Sequence, residues 1–149
     1  MYVFLGIEGV LRPHNGIPDI FDVSARQYFG AVMIKHQQWK IVLTSSWRLQ
    51  HSMEHIKSLF PTKIRPLIAG ATPDLGTTTG SYKQTEIEYY LLQKNCEKQQ
   101  WIAIDDKASR FNTNAPLFAT DSMQGFTSSD AQHLHAKLTK IERLTGVSA

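Results

Sequence analysis

The sequence predicts an α/β fold with a central parallel sheet, and three observations predict it. First, three apolar runs each stop at small, hydroxylated or acidic residues. Val3-Phe4-Leu5 runs into Gly6-Ile7-Glu8-Gly9, Ile41-Val42-Leu43 into Thr44-Ser45-Ser46-Trp47-Arg48, and Trp101-Ile102-Ala103-Ile104 into Asp105-Asp106. Second, segments with apolar residues three or four apart lie between these runs, the period of helices packed on one face. Third, strands and helices alternate along the chain, which implies parallel pairing with right-handed crossovers. In open sheets of this kind ligands gather outside the carboxyl ends of the strands. The polar residues closing the three runs are therefore candidates for one common site.

The elements follow in order. After the first run, Arg12-Pro13-His14-Asn15-Gly16-Ile17-Pro18 reads as a loop by its Pro and Gly content. From Asp22 the pattern turns helical, with Ala25, Tyr28, Phe29, Val32, Met33 and His36 on one face and Asp22 or Ser24 as the cap. Trp39 and Lys40 lead into the second strand. Gln50 to Phe60 reads as a helix with Met53, Ile56, Leu59 and Phe60 inward, ended by Pro61. Arg65 to Leu75 has no clear period, and Gly76 to Ser81 is loop, the natural place for a small lid. A helix follows from Lys83 to about Lys94, carrying Ile87, Tyr90 and Leu91 on one side. Beyond Asp106, residues 107–114 read as loop and Pro116 to Ala119 as a short strand reaching Thr120-Asp121. A last helix, capped by Ser128 or Ser129, repeats Ala131, Leu134, Leu138 and Ile141 and ends at Gly146.

A chain of 149 residues fits one domain, residues 1–149, with a single core. Hydrophobic content of 42% and charged content of 19% are globular values and argue against disorder. The formal net charge is +3, with Lys and Arg scattered rather than in a run, so no nucleic-acid tail is indicated. A mild positive balance suits an anionic ligand and also suits an ordinary solvated surface. Cys96 is the one cysteine, which excludes an intrachain disulfide and points to a reducing, cytoplasmic setting; it reads as a packing or surface residue. Glu8 interrupts the first apolar run and no basic region precedes it, so a signal peptide is not expected. No apolar stretch approaches the ~20 residues that cross a bilayer, and no membrane partner is expected.

The closing motifs resemble those of the haloacid dehalogenase (HAD) superfamily of phosphohydrolases. That family reads, in order, an apolar strand ending Asp-x-Asp-Gly-[Val/Thr]-Leu, a strand ending in Thr or Ser, a Lys or Arg before a helix, and a strand ending in one or two acids. The chain is most similar to a small branch, some of whose members are fused to RNA-repair enzymes, with Thr-x-x-Trp, Arg-x-x-Glu-Ile and a late Thr-Asp…Gly-[Leu/Phe]-Thr. Here these stand as Thr44-Ser45-Ser46-Trp47, Lys83-Gln84-Thr85-Glu86-Ile87 and Thr120-Asp121…Gly125-Phe126-Thr127. The resemblance implies a HAD-like Rossmannoid three-layer sandwich around a parallel sheet. Only about a dozen residues separate Leu11 from the first helix, so no large cap domain is expected.

The resemblance also implies a chemistry. In the family the first Asp attacks a phosphoryl group and water then hydrolyses the aspartyl-phosphate. Magnesium is held by that carboxylate, by a backbone carbonyl two residues on and by the fourth-motif acid, while a hydroxyl and a Lys or Arg hold the phosphate. This chain departs at the decisive place, with Gly6 where the family has its nucleophile and Glu8 where it has its acid/base Asp. Glu8 reads as a degenerate acid/base or metal-ligand position, or as an exposed acid. Asp105 and Asp106 are the metal-ligand candidates, Asp105 slightly ahead. Thr44, then Ser45, are the phosphate-binding hydroxyls unless they cap the next segment. Lys83 is the phosphate-binding cation unless it is simply solvated. Arg12 and Arg48 add charge at the same mouth. His51 and His55 share a helix face, but His-x-x-x-His without a third ligand is a weak zinc signal.

Three functions remain open on the sequence. The domain binds a phosphorylated small molecule or nucleic-acid end with little or no phosphatase activity, its Mg2+ site weak or lost. Alternatively it is a slow magnesium-dependent phosphohydrolase using a metal-bound water with Glu8 or Asp106 as base, or a domain that binds a protein partner with a vestigial pocket.

Overall fold

Tyr2–Leu5 forms the central strand, β1, and all four of its side chains are buried because both faces of the sheet are covered. The molecule is described by a computed structural model, in which residues 1–146 are placed. β1 pairs in parallel with β2 (Lys40–Leu43) on one side and with β4 (Trp101–Asp105) on the other. β3 (Ile68–Ala71) and β5 (Leu117–Ala119) complete the edges, giving the order β3-β2-β1-β4-β5 with every pairing parallel. Strand polarity therefore brings all five carboxyl ends to one rim.

Alternation along the strands sorts the core into two layers. Val3 and Leu5, Ile41 and Leu43, and Ile102 and Ile104 face one side, where they meet α1 (Val23–Met33), α3 (Met53–Ser58) and α5 (Ser128–Thr145) through Phe29, Met33, Ile56, Leu134 and Leu138. Tyr2, Phe4, Val42 and Ala103 face the other side, against Ile87, Tyr90 and Leu91 of α4 (Tyr82–Gln93) and Phe111. Each such Leu, Ile or Phe taken fully out of water contributes ~1.5–3 kcal/mol. The result is an all-parallel sheet between two helical layers. Residues 6–22 connect β1 to α1, and no large cap interrupts the fold.

Four expectations from the sequence need correction. Residues 65–75 are not wholly irregular: after a 3₁₀ turn at Arg65–Leu67, Ile68–Ala71 pairs with β2 as an edge strand. Its Ile-Ala-Gly-Ala composition carries little strand propensity, and pairing to β2 overrides this. The helix expected over Gln50 to Phe60 is two pieces, α2 (Trp47–Gln50) and α3. His51 is extended between them, and the Ser52 side chain accepts from His55 N–H to cap α3. The last helix is capped by Thr127, one residue before the serines, because Thr127 and Asp130 form a reciprocal capping box. On α1, Asp22 is the cap and Tyr28 lies outward at 38% exposure. Gly146 does end α5, in the left-handed conformation that glycine adopts without strain. Among the described residues no helix is long and apolar enough to cross a membrane.

Candidate functional site

The register sets the site. Leu5 pairs with Leu43 and with Ile104, so Gly6 leaves the sheet between Thr44 and Asp105. Backbone hydrogen bonds carry the pairing one step further: Gly6 N–H donates to Ile104 O at 2.9 Å and Thr44 N–H to Leu5 O at 3.0 Å. Above this rim lies a cleft of about 120 Å³, lined by Glu8, Thr44, Ser45, Lys83, Arg48 and Arg110 among others. Asp74, Thr77, Thr78 and Tyr82 close its outer side, so the loop that leads into α4 borders the cleft.

The first turn of α4 breaks the usual amphipathic rule, since Lys83, Gln84 and Glu86 are buried there ahead of the apolar Ile87, Tyr90 and Leu91. That turn overhangs the strand ends, where buried polar groups can find partners. Lys83 Nζ lies 2.5 Å from Asp105 Oδ2, while Arg110 Nη1 and Lys107 N–H donate to Oδ1 at 3.1 and 3.0 Å. Burial alone would raise the Asp105 carboxyl; Lys83, the Lys107 amide and Arg110 together hold it below the ordinary carboxylate value. Burial lowers the Lys83 ammonium, and the neighbouring Asp105 charge counters this only in part.

Gly6 fits closely against this ion pair. A Cβ built there would stand 3.0 Å from Asp105 Oδ2 and 3.2 Å from Ile104 O. A side chain at position 6 would thus start in tight contact with the oxygen that Lys83 now holds. Gly9 is required on different grounds. Its φ is +74°, and a Cβ would fall 2.2 Å from Asp106 Oδ2.

Glu8 and Asp106 serve other partners. Glu8 Oε2 accepts from Arg12 Nη1 at 2.6 Å and Oε1 from Trp47 Nε1 at 2.8 Å, so both oxygens are engaged, with the side chain 38% exposed at the cleft. Asp106 Oδ2 accepts from Ser122 Oγ at 2.8 Å and lies 3.1 Å from His14 Nε2, while its buried Oδ1 has no hydrogen-bond partner among the described residues and lies 3.5 Å from Arg110 Nη1 of the cleft wall. Arg48 spends its guanidinium on the carbonyls of Thr44, Ser45, Thr72 and Pro73 and on Glu86 Oε1 at 3.2 Å. Glu86 Oε2 accepts from Leu75 N–H. Arg48 and Glu86 therefore brace the walls of the cleft, and Arg12 serves Glu8. Arg110 is the site residue that sequence reasoning missed. It sits in a 3₁₀ turn, Ala108–Arg110, inside a stretch without periodicity, and only its nearness to the acid pair signalled it.

Donors remain for an anion. Thr44 is 1% exposed and its hydroxyl has no hydrogen-bond partner among the described residues, although it lines the cleft. Ser45 Oγ accepts from Trp47 N–H, which leaves its own proton to give. Lys83 has three N–H donors, with one carboxylate oxygen as its acceptor.

The same residues fit a magnesium ion poorly. Among the described residues no group of three or more His, Cys, Asp or Glu side chains is arranged to hold a metal. Both Asp105 oxygens are already held by donors, Glu8 is engaged twice and position 6 offers no ligand, which leaves the single oxygen Asp106 Oδ1, itself 3.5 Å from the Arg110 guanidinium.

An all-parallel sheet with hydroxyl, lysine and acid gathered at the rim of three central strands defines a HAD-like domain without a large cap. The sequence profile of the HAD domain in Swiss Army Knife RNA repair proteins matches residues 2–131, and the chain belongs to this family. No curated protein matches the sequence. Of two solved chains that match in shape, one is a crystal structure aligned over 99% of this chain and 85% of its own, at 14% identity and a TM-score of 0.43, a likeness too loose to carry an argument.

Proposed function

We propose that the domain binds a phosphorylated ligand and hydrolyses it slowly or not at all. One observation carries this reading: the Thr44 hydroxyl is buried without a partner among the described residues, at a cleft that Lys83 also lines. An unpaired buried hydroxyl costs ~1–3 kcal/mol, and a phosphate oxygen would relieve that cost. The absent side chain at Gly6 removes the nucleophile on which the family's covalent chemistry depends, and loss of a nucleophile lowers turnover by about 10⁶-fold in well-studied enzymes. A cleft of about 120 Å³ suits a phosphoryl group rather than a whole nucleotide, so the remainder of the ligand projects outward. The family's place in RNA-repair proteins favours the phosphorylated end of a nucleic acid as that ligand.

Calorimetric titration with inorganic phosphate tests the reading. Lys83→Gln is expected to weaken binding about tenfold, the scale of one charge-assisted hydrogen bond. A chromogenic phosphomonoester should be left essentially intact by the unaltered chain. Equal affinity in the folded Lys83→Gln variant, or brisk turnover by the unaltered chain, would overturn it.

A further inference from the structure

We infer that the Lys83 ammonium supplies, as a fixture of the fold, the positive charge that a divalent cation would bring, so that the cleft binds oxyanions without magnesium. This rests on the phosphate-binding reading above and adds what kind of cation serves the site. A divalent ion in such a cleft has two tasks: to offset the fourth-strand acid and to present positive charge to the ligand. Lys83 performs the first directly, at 2.5 Å from Asp105 Oδ2. The second is open to it, because an ammonium has three protons and Asp105 Oδ2 takes one. Arg110 completes the arrangement by holding the other Asp105 oxygen, at 3.1 Å, while reaching the cleft wall.

Gly6 makes this possible. An aspartate at position 6 would start with its Cβ 3.0 Å from Asp105 Oδ2, crowding the Lys83 contact and adding a further acid of the kind a hard divalent ion needs. With glycine there, the two acids Asp105 and Asp106 face the two cations Lys83 and Arg110, and the local balance is already met without a metal. Glu8 cannot restore the deficit while Arg12 and Trp47 hold its two oxygens. The loss of the nucleophile and the independence from magnesium are on this view a single change, expressed at one position.

The test is a titration of the unaltered chain with inorganic phosphate, once in millimolar magnesium and once in EDTA. The expected dissociation constants agree within about twofold. A tightening of about tenfold or more in magnesium would overturn the inference and leave the phosphate-binding reading standing. Failure to bind phosphate in either condition would overturn both. Thermal melts with magnesium alone give a second readout: no stabilisation of the unaltered chain is expected, and stabilisation would sink the inference. Gly6→Asp, verified as folded by circular dichroism, should acquire a magnesium-dependent rise in melting temperature. A folded Gly6→Asp variant indifferent to magnesium would remove Gly6 from the argument and overturn it.

Discussion

Two buried charged clusters lie at opposite ends of this sheet, and they differ in what they leave unpaired. At the amino ends of the strands, Glu142 of α5 is 3% exposed and surrounded by donors. His36 Nδ1 lies 2.8 and 2.9 Å from its two oxygens, Gln38 Nε2 donates at 2.9 Å, and Trp39 Nε1 at 3.4 Å. His36 Nε2 in turn lies 2.7 Å from His135 Nδ1. Among the described residues no buried polar side-chain atom there lacks a partner. At the carboxyl ends, Asp105 is equally buried and equally well bonded, yet the groups around it include the unpartnered Thr44 hydroxyl and a lysine with protons in reserve. Buried charge by itself therefore marks neither place as functional. What separates them is unused donor capacity beside open space.

The comparison can be broken by perturbing each end. The largest effect is expected at the closed cluster. Glu142→Ala strands the donors of His36, Gln38 and Trp39 and should cost ~3–5 kcal/mol in denaturant unfolding, the range for breaking a buried charged network. Phosphate affinity, measured on the folded fraction, should stay unchanged; a fall would mean that the two clusters communicate. The second effect is in acid. Because the folded Asp105 carboxyl titrates below its ordinary value, the unfolded chain takes up that proton first as pH falls. Its stabilisation is fully present above the usual carboxylate range and is lost as pH drops through the depressed folded value. Asp105→Asn should flatten the acid limb of a stability–pH profile, and an unchanged limb would assign acid sensitivity elsewhere. The smallest effect on stability is expected from Thr44→Val. A hydroxyl without a partner contributes little to folding, so the change should stay within ~1 kcal/mol. Phosphate binding should nevertheless weaken. If stability collapses instead, the hydroxyl has a structural partner.

Much of this arrangement could be read in the sequence. β1, β2 and β4 are short apolar runs that stop abruptly, and their polar terminators, Gly6, Thr44 and Asp105, adjoin in space because parallel register aligns strand ends. Lys83 was legible through its position at the head of a helix with Glu86 and Ile87 at three-to-four spacing. What could not be read was decided by contacts between distant residues. β3 depends on pairing with β2 rather than on its own residues. The partners of Glu8 come from a loop and from Trp47, neither of which has a periodic signature. Asp106 stood only slightly behind Asp105 in a two-residue acidic pair, yet consecutive strand-end side chains diverge, and Asp106 Oδ2 went to Ser122 and His14. Arg48 and Arg12 looked available to a ligand until their carbonyl and carboxylate acceptors were visible.

The position of β1 in the sheet also constrains how the chain can be made. It is central in space yet precedes both of its neighbours in the chain: Tyr2 pairs with Lys40 on one side and with Trp101 on the other. During synthesis its four apolar residues therefore emerge well before the strand that closes their second edge. Until β4 arrives, a flat hydrophobic ladder stays open to any other extended chain, the situation in which nascent polypeptides associate wrongly. Parallel pairing across such separations is also intrinsically slow to form. The strand that delivers Gly6 to the cleft is thus the part of the molecule whose folding waits longest on the rest.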